Sequence, residues 1–131
     1  MKKSGSIALL VLLFVFPCKF MFAQEVNVGI IEGFKNGNAS LIAEYLTPEV
    51  DYMGPNKESQ LSADQTKSQL TSLFASLKVS SFEVKHNGKS PSGNAYLIGS
   101  MTTSKGVYRV YLLFPEKTKE KISEIRIEKD E

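Results

Sequence analysis

Apolar residues recur along this chain with two different periods, and the change between them divides it. Val26, Ile30, Ile31 and Phe34 fall at helical spacing. Asn36-Gly37-Asn38 should end that helix, and Asn38 can cap a second one over Ala39–Leu46, whose Leu41, Ile42, Tyr45 and Leu46 share a face. Thr47-Pro48 stops it, Glu49–Met53 reads as a short strand, and Gly54-Pro55-Asn56 reads as a loop. Ser62-Ala63-Asp64-Gln65 has the form of a capping box. It opens a long helix to about Leu77, with Thr66, Leu70, Leu73, Phe74 and Leu77 on one stripe.

From Ser80 the period falls to two. Phe82–His86, Ala95–Thr103, Gly106–Phe114 and Ile122–Glu128 read as four strands of an antiparallel meander, with a tight turn at Ser104-Lys105-Gly106. The expectation is an α+β domain with its helices on one side of the sheet. The two middle strands are apolar on both parities, since Leu97, Gly99 and Met101 oppose Tyr96, Ile98 and Ser100. A sheet apolar on both faces must be covered twice, which predicts a homodimer.

The first 23 residues belong to a different pattern. Lys2 and Lys3 precede the unbroken apolar run Ile7–Phe16, and Ala23 precedes Gln24, as in an export signal cleaved after Ala23. The run is shorter than the roughly 20 residues a membrane helix needs. An uncleaved anchor or lipid attachment at Cys18 are the alternatives. The expectation is therefore a signal over 1–23 and one domain over 24–131, periplasmic or secreted. Cleavage also changes the charge. Three of the 16 basic residues lie in the signal and none of the 14 acidic ones does, so 13 face 14 and the net charge moves from +2 to −1. No basic stripe remains for nucleic acid. No cysteine remains either, which excludes disulfides and thiolate zinc sites. No cofactor is expected, and no membrane contact once the signal is gone.

The segments FEVKHNG, AYLIGS, GVYRVYLLF and ISEIRIE, following helix, helix, strand and capped helix, resemble a family of small secreted Bacteroidetes proteins known as domain of unknown function 4783. The resemblance runs from about Glu25 to Glu128. It implies the nuclear-transport-factor-2-like cone, also called cystatin-like, with helices packed on a curved antiparallel sheet. It implies no activity. His86, Gly88, Tyr96, Gly99, Gly106 and Arg109 are the matching positions, and YMGPNKESQLSADQ matches less well.

Candidate chemistry is sparse. His86 is the only histidine, and its imidazole titrates in the range useful for proton transfer. Its structural alternative is a strand-end residue bonded to the Asn87–Asn94 loop. Arg109 interrupts an apolar strand. It is either an anion clamp or a partner of an acid such as Glu124, or it is exposed. A cavity between the long helix and the sheet would take Arg109, His86, Tyr96 and Tyr111 as its ligand-binding groups, for a small anionic or apolar ligand. The leading expectation is thus a non-catalytic binding or accessory module. One alternative is an acid–base enzyme, an isomerase or dehydratase using Asp51 or His86 with a tyrosine such as Tyr45 or Tyr52. The other is an interaction protein acting through a sheet-face dimer. The Asn38-Ala39-Ser40 glycosylation triplet is read instead as a helix cap.

Overall fold

The computed structural model describes residues 27–118 and 120–130. The expected signal over 1–23 and Cys18 lie outside the described residues. Helix α1 covers Val28–Asn36 and α2 covers Ala39–Ala43, followed by strands β1 Leu46–Met53 and β2 Glu58–Ser62. Helix α3, Ala63–Leu77, leads into β3 Val79–Lys89, β4 Ala95–Thr103, β5 Gly106–Phe114 and β6 Ile122–Lys129. The six strands form one curved, unclosed sheet in the order β2-β1-β6-β5-β4-β3.

Capping chemistry sets the helix ends. Asn27 Oδ1 accepts from the Gly29 N–H at 2.7 Å, and Asn38 Oδ1 accepts from the Leu41 N–H at 3.1 Å. Between them Gly37 takes φ +63°, the left-handed conformation that glycine adopts without strain. The capping box of α3 is complete: Ser62 Oγ accepts from the Gln65 N–H, and Gln65 Oε1 accepts from the Ser62 N–H. At its other end Lys78 holds φ +56°, a conformation that costs a side-chain-bearing residue roughly 1 kcal/mol or more. Lys78→Gly is therefore expected to raise stability by about 1 kcal/mol, read as a higher denaturant midpoint with an unchanged slope.

The sheet differs from the expected meander at its far side. The second helix stops at Ala43, and Leu46 already pairs with Ile122 in the sheet. Ile122 N–H donates to Tyr45 O at 2.7 Å, and Thr47 Oγ1 donates to Glu49 O and Ile122 O. Those bonds draw the chain into a parallel pairing of β1 with β6. The register is irregular between Leu46 and Asp51, which accommodates Pro48 and its missing donor. The segment 58–62, to which the sequence pattern assigns no strand, pairs antiparallel with β1 from Glu49↔Ser62 to Met53↔Glu58. It is an edge strand with only Leu61 buried, so it carries no alternating apolar signal.

One side of the sheet carries the core. Ile30 and Phe34 of α1 and Leu70, Phe74 and Leu77 of α3 pack with Leu97, Met101, Val110, Leu112, Ile125 and Ile127. Phe34 stacks on Phe82 with ring centroids 5.2 Å apart and meets Phe74 edge-on at 6.0 Å. Gly99 makes room for Phe82, since a Cβ there would collide with the ring. Helix α1 lies against β3, and α3 against β1 and β2.

Candidate functional site

The register decides where each candidate side chain points. Phe82 pairs with Met101 and Val84 with Gly99, both on the core side. A bulge follows, and His86 pairs with Ile98 on the opposite side. His86 therefore leaves the face that its every-second-residue spacing after Phe82 and Val84 assigned to it. Arg109 pairs with Ser100 and Tyr111 with Ile98, while Tyr96 opposes Gly88. All four expected ligand-binding residues thus lie together, but on the exposed face, whereas the interior between α3 and the sheet was their expected place. His86 and Arg109 are exposed, and Tyr96 and Tyr111 half-buried.

On that face the groups contact one another. His86 Nε2 lies 2.9 Å from the Tyr96 hydroxyl, one of the two donating. Gly88 permits this, because Tyr96 leans over it and a Cβ at Gly88 would meet the phenol oxygen at 3.1 Å. The Arg126 guanidinium sits 5.4 Å from the Tyr111 ring centroid, and its Nε donates to Glu124 Oε2 at 2.7 Å. Burial, then the Glu124 carboxylate, raise the Tyr111 phenol above its ordinary value, with Arg126 pulling the other way. The Glu124 hydrogen bond raises Arg126 in turn. Arg126, which the sequence reading passed over, takes the Glu124 partnership considered for Arg109. Its signal was the Glu-x-Arg spacing, which places both side chains on one strand face.

The histidine–tyrosine pair could pass a proton, but it stands open to water, without the desolvation that strengthens acid–base chemistry. Asp51 lies on this exposed face too, accepting from Gln60 Nε2 at 3.3 Å. Tyr52, its neighbour in the strand, points to the core side and is 3% exposed. Asp51 and Tyr52 therefore do not share a cavity. Nor do Asp51 and His86 combine: β6, β5 and β4 separate their strands, and four strand spacings amount to roughly 19 Å. Among the described residues no three His, Cys, Asp or Glu side chains group as metal ligands.

A profile of the domain of unknown function DUF4783 matches residues 27–128. A DUF4783 protein from Bacteroides fragilis YCH46 is similar in structure, with 32% identity over 81% of this chain and 100% of that one, at a TM-score of 0.74. One from Bacteroides ovatus shows 26% identity over 83% and 99%, at 0.75. An NTF2-like protein of unknown function from Cytophaga hutchinsonii shares the fold at 11% identity, covering 83% and 95%, at 0.56. No curated protein matches this chain.

Proposed function

The chain belongs to the DUF4783 family, a domain of unknown function, and has the NTF2-like fold, and we propose that it is an exported, non-catalytic binding module that works through the exposed face of its sheet. The observation that carries this reading is the composition of that face. Tyr96, Ile98, Tyr111 and Leu113 form a half-buried centre across β4 and β5, and Arg109, Arg126, Glu124, Glu128 and His86 surround it. An apolar, aromatic centre within a polar rim is the layout of a protein–protein contact. The partner that fits is a second copy of the chain. The rim holds two arginines and two glutamates, so a two-fold docking can set each cation against an anion. A homodimer would also give the apolar outward positions of the middle strands their second cover.

Sedimentation equilibrium of the chain from residue 24 tests this. The wild type should dimerise, and Ile98→Glu or Tyr111→Glu should each weaken the dimer at least about thirtyfold while leaving the circular dichroism unchanged. A wild type that stays monomeric at every concentration would remove the proposal, as would variants that pair as tightly as the wild type.

A further inference from the structure

A separate feature lies on the other side of the sheet, independent of the dimer reading. Helix α3 and the β1–β2 turn flank a half-open cavity of about 120 Å³. That is the liquid volume of roughly four waters, well below the size of a drug-like ligand site. Its most buried lining residue is Tyr52. The side chain is 3% exposed, yet no described residue hydrogen-bonds its hydroxyl, and no unpaired side-chain polar atom among the described residues is sealed from solvent. The hydroxyl therefore reaches solvent, and Tyr52 is part of this cavity's lining. Gly54 clears the space around it, since a Cβ there would stand 2.5 Å from the phenol oxygen.

The remaining polar lining is rich in donors. Asn56 and Gln69 bring amides, Ser72 and Ser76 hydroxyls, and Lys57 an ammonium, and no Asp or Glu lines the cavity. Ser76 Oγ accepts from Lys105 Nζ at 3.4 Å, which leaves its own proton free to point elsewhere and sets a second cation beside the wall. Burial raises the Tyr52 phenol to about 12, so the group stays a neutral donor across the physiological range. A solvent-reached phenol donor among amides and hydroxyls that can turn their donors inward, with a cation in the lining, a second beside it and no carboxylate in the lining, suits an acceptor-only group.

We infer that this cavity is a subsite for one small oxyanion, a carboxylate or a phosphate, bound by the Tyr52 hydroxyl with the Ser72 hydroxyl and the Lys57 ammonium. The ligand would be a free anion or the anionic end of a larger molecule projecting past the β1–β2 turn.

Amide chemical shifts of the isotope-labelled chain from residue 24, titrated with sodium acetate and separately with sodium phosphate against sodium chloride at equal ionic strength, test the inference. Saturable shifts at Lys57, Ser72 and Ser76 are expected with at least one oxyanion, and the tighter of the two names the ligand chemistry. Tyr52→Phe keeps the ring and should weaken binding about tenfold. Ser72→Ala, on an exposed helical position that the fold does not need, should weaken it severalfold. Linear, chloride-like shifts with both anions would overturn the site, as would full affinity in both variants.

Discussion

Truncating Phe34 to alanine is expected to cost about 3–5 kcal/mol of folding stability. Phe34 is fully buried and is the hinge of an aromatic trio, stacked on Phe82 and edge-on to Phe74. Those three rings tie α1 to α3 and β3, and Phe34 lies about 40 residues or more before the other two in the chain. Removing the middle ring deletes its buried area and leaves a void between two rings whose backbones are held by a helix and a sheet, so collapse into the space is limited. Chemical denaturation should show the loss as a lower midpoint. A cost below about 1 kcal/mol would mean that the aromatic trio does not hold helix to sheet.

The second large effect comes from adding rather than removing atoms. Gly99→Ala should destabilise by about 1–3 kcal/mol, although alanine is ordinarily no worse than glycine in a strand. The reason is the Phe82 ring, which occupies the place of the missing Cβ and is itself pinned by Phe34. Phe82→Leu should relieve part of the clash, so the double variant should lose less than the two single losses combined. That coupling, measured in a double-mutant cycle, distinguishes a steric collision from a general weakening of β4. Additive losses would refute the collision.

Both predictions rest on contacts between distant segments, and the same distinction explains which features could be read from the sequence. The capping box at Ser62, the asparagine cap at Asn38, the buried stripe of α3 and the strands β4 to β6 follow from local patterns, and the structure contains them. Strand β2 was hidden, because Glu58, Ser59 and Gln60 face solvent and the strand exists only through its pairing with β1. The parallel pairing of β1 with β6 joins segments about 75 residues apart and leaves no local trace.

The candidate site was legible as a set of residues but not as a place. Alternation places His86 with Phe82 and Val84, and one extra residue in a bulge moves it to the other face. Arg109 suggested a buried guanidinium because its strand is apolar on both parities, yet the outward half of that strand is open. The sequence offers Tyr52 as a partner for Asp51 and, with Val50, as one of two alternative inward-facing pairs of its strand. Nothing in the sequence says that its hydroxyl finds no partner among the described residues, since that depends on where α3 and the β1–β2 turn come to rest.

The central claim is that the exposed sheet face, and not the helical side, is where this module meets its partner. Amide shifts recorded from dilute to concentrated solution test it most directly. The account predicts concentration-dependent changes confined to outward positions of β4, β5 and β6, centred on Ile98, Tyr111 and Arg126, with α1 and α3 silent. Changes that centre on the helices, or an unchanging spectrum across the whole range, would contradict it.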